Sequence, residues 1–192
     1  MSNIGQAELL RTISKDKWER IGIKKRAGLL VPLFSVYSKN SLGLGEFFDL
    51  KLVIDWADKT GNSIIQLLPM NDLGSVFCPY DALSSFALEP SYLAIKALPN
   101  ASKIKKRITE ADIKFPKNSR YVDYGIKNEK LSLLWHLFLI DDTHQSRDFQ
   151  SFADENSYWL KDFALYKALK IYHQGKAWYE WQDQYKNRDK QA

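Results

Sequence analysis

Between Pro69 and Ser85 the chain gathers Asn71, Asp72, Gly74, Ser75, Cys78, Pro79, Tyr80, Asp81, Ser84 and Ser85. A plain connector needs only a few turn residues, so a stretch this rich in carboxylate, hydroxyl, thiol and phenol groups reads as a site loop. Tyr80 follows Pro79, whose fixed φ makes the ring a rigid stacking face at little entropic cost. The alternative for such a ring is burial under its own loop. Asp72, Asp81 and Glu89 supply carboxylates and Ser84 a hydroxyl. Cys78 could act as a nucleophile only with an activating base, and His136, His144 and His173 stand in no recognisable relation to it. The three histidines are also too dispersed to read as a metal cluster. Residue type and spacing therefore identify no catalytic residue and no metal ligand.

The elements that must position this loop are readable on either side of it. Ser63 to Leu68 is a short apolar run bounded by Gly61 and Pro69, the pattern of a strand that stops where the loop begins. Arg26 to Val36 is a second near-continuous apolar run, as in parallel strands covered on both faces, although Pro32 cannot donate to a ladder. Between them Glu46 to Thr60 repeats Phe47, Leu50, Ile54 and Ala57 at helical spacing. Acids stand at its start, Lys59 near its end and Gly61 at its stop. Strand, helix, strand is a βαβ unit with a parallel pair and a right-handed crossover. In such architectures ligands bind beyond the carboxyl ends of the strands, so Ser35–Tyr37 and Pro69–Tyr80 are expected to share one mouth. Gly43-Leu44-Gly45 lacks the dinucleotide spacing and the phosphate-loop lysine and reads as a tight turn.

Several segments also occur in a familiar order: RAGLLVPLFSV at 26–36, GLGEFFDL at 43–50, the helix end from Asp55-Trp56-Ala57 to Thr60-Gly61, IIQLLPMND at 64–72 and PYDALSSFALEPSYL at 79–93. Together they resemble the amylomaltase or disproportionating-enzyme family of 4-alpha-glucanotransferases, glycoside hydrolase family 77. WLKDFALYKALK at 159–170, followed by Trp178 and Trp181, is a weaker continuation. The resemblance implies an α/β chain forming the N-terminal part of a (β/α)8 TIM-type barrel with a mainly helical insertion. It implies retaining transfer of a 4-alpha-glucan segment to an acceptor sugar, a maltooligosaccharide or other alpha-1,4-glucan as partner, and no metal or organic cofactor. It further implies that Tyr80 lines the sugar subsite next to the scissile bond, with Asp72, Asp81 and Ser84 as substrate-binding or loop-fixing residues. Cys78 stands where the family commonly has serine. The family's nucleophilic Asp, acid/base Glu and further transition-state Asp lie on later strands, and no segment here matches their motifs.

A complete barrel takes about 250 residues, whereas two strands are readable in 192. The expected division is residues 1–97 as the start of a barrel and 98–192 as a mainly helical insertion or subdomain. The barrel is expected to be incomplete in this chain, the isolated chain inactive, and the remainder of the barrel a candidate partner. A non-catalytic glycan-binding module is the alternative, and a basic scaffold protein a weaker one.

Composition narrows the rest. With 45% hydrophobic and 27% charged residues the chain can bury a core. Its six Trp, ten Tyr and ten Phe suit a core and, secondarily, sugar stacking. One cysteine excludes an internal disulfide framework and makes a reducing, cytoplasmic setting the default. No apolar run approaches the roughly 18 residues of a membrane helix, and the apolar run after Lys24-Lys25-Arg26 starts too far into the chain for a signal peptide. The net charge of +5 is concentrated in residues 101–130. No nucleic-acid motif accompanies this patch and acids are interspersed, so a solvated face is expected, with neither nucleic acid nor membrane as partner.

Elsewhere residues 1–25 suggest a leading amphipathic helix with Ala7, Leu10, Ile13 and Trp18 on one side. Residues 103–124 are expected to form irregular structure and short helices. Lys127–Leu139 reads as a helix packing through Leu131, Leu134, Trp135 and Phe138, and Tyr158–Tyr172 as one packing through Leu160, Phe163, Ala164, Tyr166 and Leu169. A polar connection, Asp141–Arg147, joins them. Tyr166, Trp178 and Trp181 are expected to pack, with glycan contact as the alternative.

Overall fold

The computed structural model describes residues 8–74, 77–117 and 119–189. Helix α1 (Lys15–Ile21) is shorter than the expected leading helix and buries no residue. Ile13 is fully exposed, and Ala7 lies outside the described residues. Strands β1 (Gly28–Val31) and β2 (Ile64–Leu67) form a parallel two-stranded sheet, Gly28 opposite Ile64 and Val31 opposite Leu67. Glycine is required at position 28, because a Cβ there would lie 2.4 Å from the Ile64 carbonyl oxygen. The first strand is shorter than the Arg26–Val36 run suggests. Pro32 cannot extend the ladder, and the chain turns there into a 3-10 segment, Leu33–Ser35.

The crossover begins with a 3-10 turn, Phe47–Asp49, and continues as α2 (Leu50–Lys59). Its start is fixed by two hydrogen bonds: the Glu46 amide donates to Asp49 Oδ2 at 2.8 Å and the Asp49 amide to the Glu46 carbonyl at 2.9 Å. Gly61, at φ +72°, follows the helix end. After β2 come α3 (Lys105–Lys114), α4 (Ile126–Ile140), α5 (Arg147–Glu155), α6 (Ser157–Tyr172) and α7 (Asp183–Lys186). The expected polar connection, Asp141–Arg147, carries a 3-10 turn at Thr143–Gln145, and α5 follows it, started by Ser146 Oγ accepting from the Phe149 amide.

The core lies beside the sheet. Leu33, Leu42, Leu44, Tyr92 and Ile95 from the segments after the strands pack with Ile104, Ile108, Ala111 and Phe115 around α3 and with Ile126, Leu133 and Leu137 of α4. Residues 103–124 are accordingly more regular than expected, since α3 spans ten residues and buries Ile108 and Ala111. On α2 only Ala57 is buried, while Ile54, expected on its packing face, is exposed together with Leu52 and Trp56.

Helix α4 corrects the expectation most sharply. Its buried residues are Ile126, Lys127, Lys130, Leu133 and Leu137, whereas Trp135 of the expected face is exposed and stacks on Phe138 at 5.5 Å. The inward stripe has ordinary helical spacing, but two of its five members are lysines. On α6 none of the expected packing residues is buried; they lie on a half-covered surface, and Ala164 is exposed.

Candidate functional site

The segment after β2 leaves the sheet as a closed excursion. The Glu89 amide donates to the Met70 carbonyl at 2.9 Å, Asp72 to Ala87 at 2.8 Å and Leu83 to Asp72 at 2.8 Å, with antiparallel bridges at Asn71/Leu88 and Leu73/Ala82. Inside it the Asp81 amide closes a turn on the Cys78 carbonyl at 3.0 Å. Tyr80 sits on this turn with 74% of its surface exposed, Asp81 beside it is exposed, and Cys78 is half-buried. Ser84 Oγ accepts from the Phe86 and Ala87 amides, each at 3.0 Å, and shapes the return of the chain.

The two post-strand segments meet at aromatic rings. Phe34, just beyond β1, stands edge-on to Phe77 at 5.8 Å, and Phe77 stacks on Tyr124 at 4.4 Å. Tyr80 and Asp81 therefore belong to one surface turn next to this junction, and Asp72 does not join them. Asp72 is 2% exposed. Its Oδ2 accepts from Lys167 of α6 at 2.8 Å, and its Oδ1 lies 3.6 Å from the Lys127 ammonium of α4.

Glu89, fully buried, accepts from Lys127 at 2.7 Å and from the Leu73 amide at 2.9 Å through one oxygen, and from the Ser91 amide at 3.1 Å through the other. Lys127 also donates to the Leu73 and Gly74 carbonyls. Asp72 and Glu89 thus approach a single ammonium closely enough to look like a catalytic pair. They are buried and charge-compensated, however, and in this arrangement do not flank an open space for a sugar bond as a nucleophile and an acid must. Burial first, and then the negative charge of Glu89, push the neighbouring Tyr92 hydroxyl above its ordinary range.

One helical turn further along α4, Lys130 Nζ donates to Glu46 Oε1 at 2.5 Å, and Glu46 also accepts from the Leu42 amide. Burial raises the Glu46 carboxyl and lowers the Lys130 ammonium, outweighing the attraction between them. Sequence reasoning placed Lys127 and Lys130 on a solvated face and passed over Lys167. The available signal was two lysines three positions apart on the stripe 126, 127, 130, 133, 137 of an apolar helix, with acids in both post-strand segments.

Helix α6 covers the loop from another side, with Phe86 stacked on Trp159 at 5.5 Å and edge-on to Tyr158 at 5.7 Å. Beyond it Trp181 is 6% exposed, lies parallel to the His173 ring at 5.2 Å and donates from Nε1 to the Lys176 carbonyl, while Trp178 stays exposed. Among the described residues, no group of three or more His, Cys, Asp or Glu is placed to hold a metal ion, and no helix is long and apolar enough to cross a membrane.

A parallel βαβ unit whose post-strand segments meet at aromatic rings defines an α/β chain. The sequence profile of the glycoside hydrolase 77 family, described as 4-alpha-glucanotransferase, matches residues 31–192, and the chain belongs to that family. It is similar to a 4-alpha-glucanotransferase of Chlamydia caviae, at 34% identity over 90% of this chain and 33% of the relative. It is likewise similar to one of Aquifex aeolicus, at 33% over 86% and 33% respectively. A 4-alpha-glucanotransferase of Oryza sativa subsp. japonica is 39% identical over 81% of this chain and 17% of its own length. The chain thus spans about a third or less of the length of these curated relatives.

Proposed function

We propose that residues 1–192 form the N-terminal part of a (β/α)8-type barrel in a 4-alpha-glucanotransferase, with the Cys78–Asp81 turn forming one wall of its alpha-glucan site. The carrying observation is the junction of the two post-strand segments at Phe34 and Phe77 beside an exposed, proline-led Tyr80. In this reading Tyr80 stacks on a sugar ring next to the scissile bond. Asp81 meets sugar hydroxyls, as does Ser84, whose hydroxyl hydrogen remains free to donate while its oxygen accepts two amides. Asp72 acts on substrate through the loop that it anchors. Residues 98–192 are the mainly helical insertion that covers this loop, and the single cysteine accords with a reducing, cytoplasmic setting.

The reaction is retaining transfer. One carboxylate attacks the anomeric carbon while an acid protonates the leaving oxygen, and an acceptor hydroxyl then displaces the enzyme in place of water. Those two roles fall to carboxylates supplied by the remainder of the barrel, because Asp72 and Glu89 are already committed to lysines. The same commitment favours the second reading, a glycan-binding module without turnover.

Disproportionation of maltotriose separates the two. The 192-residue chain is expected to be inactive and a chain of the relatives' length containing it active; sugar binding by that longer chain without turnover selects the module. Turnover by the short chain, lost on changing Asp81, overturns the partial-barrel reading. Calorimetry should show Tyr80→Ala weakening maltooligosaccharide binding by roughly 1–3 kcal/mol, and an unchanged affinity would reassign Tyr80 to packing.

A further inference from the structure

We infer that Lys127, on a helix outside the βαβ unit, is the positioning residue of the turn that carries Tyr80. That the turn so held binds sugar rests on the function proposed above; the holding itself rests on geometry. An ammonium has three hydrogens, and Lys127 Nζ has three kinds of acceptor around it: the Leu73 carbonyl, the Gly74 carbonyl at 3.1 Å and Glu89 Oε2 at 2.7 Å. Asp72 Oδ1, 3.6 Å away, adds charge without a hydrogen bond. These groups come from both stems of the excursion, residues 72–74 on the outgoing side and Glu89 on the return. They converge at the point where the inner turn departs.

The pairing is reciprocal. Glu89 Oε2, which receives the Lys127 proton donor, also accepts the Leu73 amide, so one charge pair satisfies both the amide and the carbonyl of Leu73, a residue with no exposed surface. Buried backbone groups without partners are costly. Removal of the ammonium therefore leaves the inner end of the loop with two carbonyls and two carboxylates to accommodate. The opening of this segment toward water is its cheapest response. Lys167 reaches the same Asp72 from α6 but is a third exposed and, among the described residues, donates to the Asp72 carboxylate rather than to loop backbone, so it is a weaker second strap.

Lys130 supplies the control. It lies on the same helix, one turn away and fully buried, but its partner Glu46 belongs to the segment between β1 and α2. A lysine that matters only for the fold behaves like Lys130; a positioning lysine acts selectively on the loop. Cys78 makes the difference measurable, since it is the chain's one cysteine, is half-buried and starts the turn.

The test compares Lys127→Met and Lys130→Met in the 192-residue chain by the rate at which a thiol reagent reacts with Cys78 and by amide hydrogen exchange. The expected result is that Lys127→Met speeds both the thiol reaction and exchange at the Asp72, Leu83 and Glu89 amides by at least roughly tenfold, with α4 still protected. Lys130→Met should lower the melting temperature without selective loosening of the loop. Equal thiol rates in the two variants, or unchanged loop exchange in Lys127→Met, overturn the inference. Should Lys127→Met not fold, Glu89→Gln, which retains the shape and one of the two amide-accepting oxygens but removes the charge, is expected to loosen the same amides, and a loop as protected as the parent's overturns the inference instead. Maltooligosaccharide affinity then addresses the sugar. Lys127→Met and Tyr80→Ala should be non-additive, and a loop that loosens while neither variant alters sugar affinity overturns the glucan reading and leaves the positioning of the turn intact.

Discussion

The residues of β1 and β2 alternate between exposed and half-buried, with Leu30 at 59% and Ile64 at 45% exposure. The irregular segments that follow them hold Leu33, Leu42, Leu44, Tyr92 and Ile95 at 1% or less. Regular hydrogen-bonded backbone thus lies open to water while irregular backbone lies in the core, the reverse of the usual arrangement. The difference is made by carboxylates. Buried loops need partners for their amides, and Glu46, Asp49 and Glu89 supply them at Leu42, Glu46, Leu73 and Ser91. The cost of those buried charges is then offset by two lysines on one helix. The sheet, whose backbone groups pair within the ladder and whose side chains lie partly open to water, has no such requirement.

The sharpest way to break this comparison is to remove the charge beneath the loops. Lys130→Met should destabilise the chain by about 3–5 kcal/mol in urea unfolding, because it strands a buried carboxylate. Glu46→Gln combined with Lys130→Met should recover most of that loss, and a double variant as unstable as the single would mean that packing, rather than charge, is at stake.

Next in size is a pair of leucines. Leu133→Ala, in the core against α3 and the buried loops, should cost about 2–5 kcal/mol, whereas Leu30→Ala on exposed β1 should stay within about 0.5 kcal/mol. Equal losses at the two sites would show that the sheet surface is covered in solution.

The smallest effect is one of pH. Burial works against the Asp112 charge, but hydrogen bonds from Lys117 and Lys96, reinforced by their charges, outweigh it and hold the carboxyl below its ordinary 3.8. A depressed carboxyl contributes stability that is present above 3.8 and lost as pH falls through the lower folded value. Glu46, raised from 4.5 by burial, has the opposite sign: it binds its proton more readily in the folded chain, so acidification through that raised value adds stability rather than removing it. Asp112→Asn should therefore flatten only the limb below 3.8 in a pH series of unfolding midpoints. A variant that shifts the limb above 4.5 instead would contradict the assignment.

The sequence by itself determined the βαβ unit, the placing of Gly61 and Pro69 at element ends, and the location of an exposed tyrosine turn after the second strand. These features depend on period-3.6 and short apolar patterns and on glycine and proline chemistry, all of which act within a few residues. Strand lengths were overread because Pro32 ends a ladder that hydrophobicity alone would continue. The inward side of α4 was decided only by the tertiary structure. Lys127 and Lys130 can be buried because Glu89 and Glu46, 38 and 84 positions away, arrive beside them, and no local pattern carries that information. The same holds for Asp72, which stands in a polar surface-like stretch of sequence and is 2% exposed because α4 and α6 each bring an ammonium to it.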